Sequence, residues 1–143
     1  MQRVHATTVE IEGRGVMIRG PSGGGKSDLA LRLIDRGAVL VADDQTELTR
    51  EGDVLVARPP ATIAGLVEAR GLGLVRLPYR ERSPVALVVD LVPAAEVERL
   101  PPPETVALLG VALPRLALAG WEASAPAKVR LAVLSSTRDI IRG

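Results

Sequence analysis

A chain of 143 residues, 47% hydrophobic and with a formal net charge of +1, has the size of one domain and enough apolar material for a full core. The absence of cysteine excludes disulfides and thiol-based metal or redox chemistry, and one Trp, one Tyr and no Phe at near-neutral charge exclude the basic, aromatic surface that binds nucleic acid. Charges interrupt the apolar runs of the first residues and no run reaches the length of a membrane span, so the expectation is a single cytoplasmic domain over residues 1–143 with no membrane partner.

Arg3 to Glu12 is β-branched and partly alternating, and predicts a strand carrying His5. Gly13-Arg14-Gly15 turns it into a second apolar strand, Gly15 to Arg19. Gly20-Pro21-Ser22-Gly23-Gly24-Gly25-Lys26-Ser27 follows: a glycine, four free positions, then Gly-Lys-Ser, the phosphate-binding loop pattern. Glycines let successive backbone N–H groups turn inward and form an anion site at the start of a helix. That reading makes Gly20, Ser22, Gly23, Gly24, Gly25, Lys26 and Ser27 candidate nucleotide-binding residues, with Lys26 for the outer phosphates and Ser27 for Mg²⁺. Asp28 to Arg36 predicts the helix, with Leu29, Ala30, Leu33 and Ile34 on one face and Gly37 as its stop.

Ala38 to Ala42 is a continuous apolar strand ending in Asp43-Asp44. Carboxylates at such a strand end, just after the loop, suit two roles: one holding Mg²⁺, the other accepting a proton from an attacking hydroxyl. The plainer alternative is that they open a polar turn. Gln45 to Thr49 and Asp53 to Ala57 predict a hairpin around Glu51-Gly52, and Thr62 to Val67 a short helix capped by Thr62. Glu68 to Val75 reads as a charged, glycine-bearing turn before a strand. Pro84 to Val92 predicts a strand carrying Asp90, Ala94 to Leu100 a short helical or irregular piece, and Pro101-Pro102-Pro103 a rigid turn. Thr105 to Leu109 and Val111 to Leu118 predict strands, the second interrupted by Pro114. Trp121 to Pro126 reads as a loop, and Lys128 to Arg142, with Val129, Ala132, Val133 and Ile140, as a closing helix.

Taken together, His5, the loop from Gly20 to Ser27, Ala42-Asp43-Asp44, Glu68-Ala69-Arg70-Gly71-Leu72-Gly73 and Arg99-Leu100 resemble, in that order, the catalytic domain of the HPr kinase/phosphorylase family, over roughly Val4 to Leu100. The resemblance implies an α/β fold, a P-loop kinase-like mixed β-sheet flanked by helices of the PEP carboxykinase/HPr kinase type. It implies ATP-dependent, Mg²⁺-requiring phosphorylation of a serine on the phosphocarrier protein HPr, removal of that phosphate by phosphorolysis, and a homo-oligomer, hexameric in relatives. Carried over by position, Asp44 resembles the residue that takes the serine proton, His5 an active-site histidine, Lys26 the phosphate-binding lysine and Arg99 an active-site arginine. Ser27 and Glu68 resemble magnesium-site residues, and Asp43 is grouped with them as a candidate ligand. The chain starts directly at the catalytic domain, like the short form of α-proteobacteria. Ser124 to Arg130 departs from the family's Pro-Val-Arg-Pro-Gly-Arg segment, which bears on the phosphorylase step more than on the kinase. A P-loop kinase of a small molecule and a non-catalytic nucleotide or phosphate sensor are the competing readings.

Overall fold

The computed structural model describes residues 1–134 and Ile140. In chain order, its strands are β1 (Gln2–His5), β2 (Thr7–Ile11), β3 (Arg14–Arg19), β4 (Val39–Ala42), β5 (Gln45–Glu51), β6 (Val54–Arg58), β7 (Leu66–Ala69), β8 (Gly73–Arg76), β9 (Ser83–Leu91), β10 (Glu104–Leu108) and β11 (Val111–Leu118). Helix α1 is Lys26–Asp35 and helix α2 is Ala125–Val133. The result is a mixed α/β fold. A large sheet runs β1-β5-β6-β9-β3-β2-β4, β11 also pairs with β9 and carries β10, and β7 and β8 form a separate small sheet.

The central strands are those whose sequences are apolar on both faces. In β3, Val16 and Ile18 face one core cluster and Met17 the other, and Val88 and Val89 divide β9 the same way. β3 is parallel to β9, and β9 to β11. β2 is antiparallel to both β3 and β4, so β4 runs in the direction of β3. The strands β3, β4, β9 and β11 therefore all end at the same edge, where ligands of such sheets bind.

Both helices cover one face. Leu29, Ala30 and Leu33 of α1 and Ala125, Val129 and Val133 of α2 pack on Val9, Ile11, Val16, Ile18, Leu87 and Val89. Fully burying a leucine such as Leu29 or Leu33 contributes about 1.5–3 kcal/mol. The other face is covered by the sheet itself. β4, at one end of the strand order, touches β5 and β6, so the sheet curls and encloses Met17, Val41, Leu48, Leu55, Ala57 and Val88.

Several elements differ from the sequence-based expectation. The strand expected from Arg3 to Glu12 breaks at Ala6: β1 pairs with β5, while β2 pairs with β3 and β4. The N–H of Ala6 is bonded to the carbonyl of Asp44, which directs the chain from one ladder to the other. The helix expected at Thr62 to Val67 is a 3₁₀ turn over Ala61–Ile63, without a side-chain cap. The backbone is already extended at Ala64, Gly65 follows at φ +77°, and the next residues pair as β7 with β8. Glu68 thus lies in a strand rather than a turn. Pro114 does not interrupt β11. It sits opposite Thr105, before the stretch from Arg115 to Leu118 where β11 also needs donors for β9. The closing helix begins at Ala125, inside the segment expected to be loop, and ends at Val133. Its expected continuation over 135–139 and 141–142 lies outside the described residues, and Ile140 is not helical. Among the described residues no helix is long and apolar enough to cross a membrane.

Asp90 holds the strand ends together. Its carboxylate accepts hydrogen bonds from Arg19 Nε at 2.7 Å and from Arg115 Nε at 2.6 Å, joining β3, β9 and β11. Burial acts to raise the Asp90 pKa, but the two guanidinium groups outweigh it and hold it below its ordinary value. A group depressed by folding stabilises the fold fully above its unfolded value and loses that contribution as pH falls through its folded value. Asp90→Ala is therefore expected to cost about 2 kcal/mol at neutral pH by leaving two partly buried arginines without their shared acceptor. Urea midpoints of the variant and the parent should converge as the pH is lowered below 3.8, the ordinary value of the carboxyl. A gap that persists into strong acid would mean that the charge of Asp90 is not what stabilises this edge.

Candidate active site

The loop between β3 and α1 is closed by its own backbone. Gly24 N–H bonds to the Pro21 carbonyl at 2.9 Å, and Gly23 lies at φ +75°. Gly25 precedes α1 at φ +98°, a conformation costly for any residue with a Cβ, and a Cβ there would also stand 3.1 Å from the Trp121 ring. Lys26 is buried, and its ammonium donates to the carbonyls of Gly20 at 3.0 Å and Pro21 at 3.2 Å. The side chain therefore curls back over the loop, with its charge held against the loop carbonyls. The first-turn N–H groups of α1 have no acceptor within the helix and leave a positive helix end at the loop.

The C-terminal end of β4 delivers the two aspartates beside the loop. They are neighbours with opposite surroundings. Asp43 is 6% exposed, whereas the Asp44 side chain is 61% exposed. Asp43 Oδ1 accepts from Ser27 Oγ at 2.6 Å and from Thr7 Oγ1 at 3.1 Å, and its Oδ2 accepts from the Glu68 backbone N–H at 3.2 Å. Asp44 sits at φ +66°, a left-handed conformation that aspartate adopts more readily than most residues. That backbone turn sends its side chain outward, where Oδ1 meets His5 Nε2 at 2.7 Å. Both aspartates lie in the bend that follows β4; Asp43 is a buried junction of three donors there, and Asp44 is an exposed acid.

His5 reaches Asp44 because β1 and β5 pair with His5 opposite Gln45, the residue after Asp44. Thr7 was not singled out by the sequence. Its buried hydroxyl donates to Asp43 and accepts the Asp44 N–H at 3.1 Å, so one side chain fixes both aspartates. The only available signal was its place two residues after His5 in a β-branched run, which many structural threonines share.

Of the expected site residues, the structure brings together His5, Asp44, Asp43, Ser27 and, through its backbone, Glu68; Lys26 heads the same helix as Ser27. The Glu68 side chain is exposed and makes no hydrogen bond among the described residues. Arg99 is exposed in the segment after β9 and makes no hydrogen bond or ion pair among the described residues, so nothing ties it to this cluster. No group of three or more His, Asp or Glu among the described residues is arranged as a metal cage. The Ser27 hydroxyl beside the Asp43 carboxylate is nevertheless a hard-oxygen pair that fits Mg²⁺, which binds through one or two carboxylates together with water and substrate phosphates.

Comparison with known proteins identifies the family of the chain. A family model described as the HPr Serine kinase C-terminal domain matches residues 1–119. The HPr kinase/phosphorylase of Geobacillus kaustophilus is 40% identical over 127 residues, covering 80% of this chain and 41% of the relative. That of Burkholderia lata is 38% identical over 126 residues, covering 80% of this chain and 39% of the relative. The chain thus spans about two fifths of the length of these curated relatives. A solved structure, that of the Hpr(Ser) kinase/phosphatase from Coxiella burnetii, superimposes with a TM-score of 0.83 at 28% identity, covering 96% of this chain and 97% of that one.

Proposed function

The chain belongs to the HPr serine kinase C-terminal domain family, and from that premise we propose that it is the catalytic domain of an ATP-dependent kinase that phosphorylates a serine of HPr. The observation that carries the reading is the pair of aspartates. One is buried against the loop serine, and the other is exposed and oriented by a histidine.

In this reading the loop is a P-loop, and its N–H groups with Lys26 bind the β- and γ-phosphates of ATP. Lys26 exchanges its carbonyl contacts for phosphate oxygens and offsets charge as the phosphoryl group moves. Ser27 and Asp43 would hold Mg²⁺, which would offset the negative charge of the phosphates. Glu68, whose backbone N–H bonds to Asp43, would add an exposed carboxylate for the same ion. Asp44 accepts the proton of the attacking serine hydroxyl, and His5 fixes the direction of its carboxylate. The exposure of His5 and Asp44 suits an acceptor as large as a protein, which presents its serine from outside and excludes water on docking. Arg99 is assigned to contact with the acceptor or the transferring group, a role reached only when substrate is present. Phosphorolysis uses the same groups: phosphate attacks the phosphoserine phosphorus, the bond to the serine oxygen breaks, pyrophosphate leaves, and Asp44 returns the proton to the serine oxygen. We further assign residues 1–143 to one catalytic domain, and the protein to a cytoplasmic location and a homo-oligomeric assembly.

The test is direct. Incubation with Mg-ATP and HPr of the same organism is expected to yield phosphoserine, located by mass spectrometry and absent with Lys26→Ala. Adding phosphate in place of ATP to the product tests the reverse step. ATP binding without phosphoserine would overturn the HPr reading in favour of a small-molecule kinase or a sensor.

A further inference from the structure

Beside the loop, on the far side from the aspartates, lies a cavity of about 450 Å³ lined by Pro21, Gly24, Leu91, Pro93, Gly120 and Trp121 among others. We propose that this cavity seats the purine base of the nucleotide, packed against the Trp121 indole. The assignment rests on the reading of the loop as a phosphate cradle.

The position argues for it. The cavity forms where β3, β9 and β11 end: Pro21 and Gly24 follow β3, Leu91 and Pro93 close β9, and Gly120 and Trp121 follow β11. The crevice outside the carboxyl ends of parallel strands is where nucleotides lie in such sheets. The cavity and the loop also share residues. Pro21 and Gly24 line the one and shape the turn of the other, so a ligand whose phosphates sit in the loop has its remaining half beside the cavity.

The chemistry argues for it as well. The lining is mainly apolar, which suits a flat aromatic ring and not the charged end of a ligand. Trp121 is 66% exposed, an unusual surface position for the single tryptophan of the chain. It stands against the loop, within 3.1 Å of the place a Gly25 Cβ would take. The segment that carries it is held in place from α1. Arg32 donates to the Glu122 carbonyl at 3.0 Å and to the Gly120 carbonyl, and is itself oriented by Asp28 at 2.9 Å. The helix that starts at the phosphate loop therefore also fixes the platform for the base, a preorganised arrangement that avoids an ordering cost on binding.

Because Trp121 is the only tryptophan, its emission reports on the cavity and on the loop it packs against. Mg-ATP is expected to change that emission more than Mg-tripolyphosphate, which has phosphates but no base, when both are bound to saturation. By calorimetry, Trp121→Ala should weaken ATP about tenfold, the scale of one base–aromatic stack, and leave tripolyphosphate affinity unchanged. Trp121→Phe should restore most of the loss. An unchanged ATP affinity in Trp121→Ala, or equal losses for both ligands, would overturn the base seat while leaving the loop reading intact. If neither ligand binds the parent protein, the loop reading fails and the seat with it. A response of Trp121 to HPr but not to ATP assigns the cavity to the protein acceptor and likewise overturns the proposal.

Discussion

Asp44→Asn is expected to slow phosphate transfer to serine by about 10²–10⁴-fold, the range for removing a general base, with little change in fold or nucleotide affinity. Asparagine keeps the shape of the side chain and an oxygen for His5, and tolerates the left-handed backbone at this position. The backbone contacts of Asp44, its N–H to Thr7 and its carbonyl to Ala6, do not depend on the carboxylate. The side chain is exposed, so the change in stability should stay within about 0.5 kcal/mol. Single-turnover phosphoserine formation, set against calorimetric ATP binding by the same protein, separates the two quantities. Transfer at near-parent rates would place the proton acceptor elsewhere.

Asp43→Asn, one residue earlier, should behave differently in every measurement. All three neighbours of its carboxylate donate to it: two hydroxyls on Oδ1 and a backbone N–H on Oδ2. An amide offers one acceptor in place of two, and the loss of charge weakens each bond, at a cost of about 2 kcal/mol in stability. The hydroxyl of Thr7 would have to reorient, and through it the N–H of Asp44. ATP affinity in the presence of Mg²⁺ should fall at least about tenfold, towards the value seen with EDTA. Transfer should fall by about 10² or more, because loss of the metal side removes several kcal/mol of charge stabilisation. The diagnostic pattern is a shifted urea midpoint and lost Mg²⁺ dependence in Asp43→Asn, with neither in Asp44→Asn. Identical behaviour of the two variants would contradict the division of roles between them.

That division was only half visible in the sequence. Two adjacent aspartates after an apolar strand pointed to chemistry, but nothing local separates a buried junction from an exposed acid. The difference follows from the backbone turn at Asp44 and from β2 packing alongside β4, which brings Thr7 to Asp43. His5 and Asp44 are likewise separate letters in the sequence. They become a pair through the β1–β5 ladder, which exists because the chain switches partners at Ala6. A single alternating run from Arg3 to Glu12 carries no mark of that switch.

What the sequence determined by itself was set by short-range physics. The glycine loop, the apolar strand before it and the one-faced helix after it depend on backbone freedom and hydrophobic spacing within about twenty residues, and all three stand where expected. The strand ending in the aspartates and the hairpin of β5 and β6 were legible for the same reason. Tertiary structure decided what depends on distant partners. The helix expected after Thr62 gave way to β7 because the backbone extends from Ala64 and β8 offered a ladder. Both helices went to one face because the sheet curls and covers the other with its own strands. Trp121, which reads as an ordinary loop residue, reached the glycine loop because β11 lies parallel to β9 and β9 to β3, so three strand ends far apart in sequence share one edge. Local propensity acts along the chain, whereas burial and strand pairing act across it; the loop belongs to the first, and the assembled site to the second.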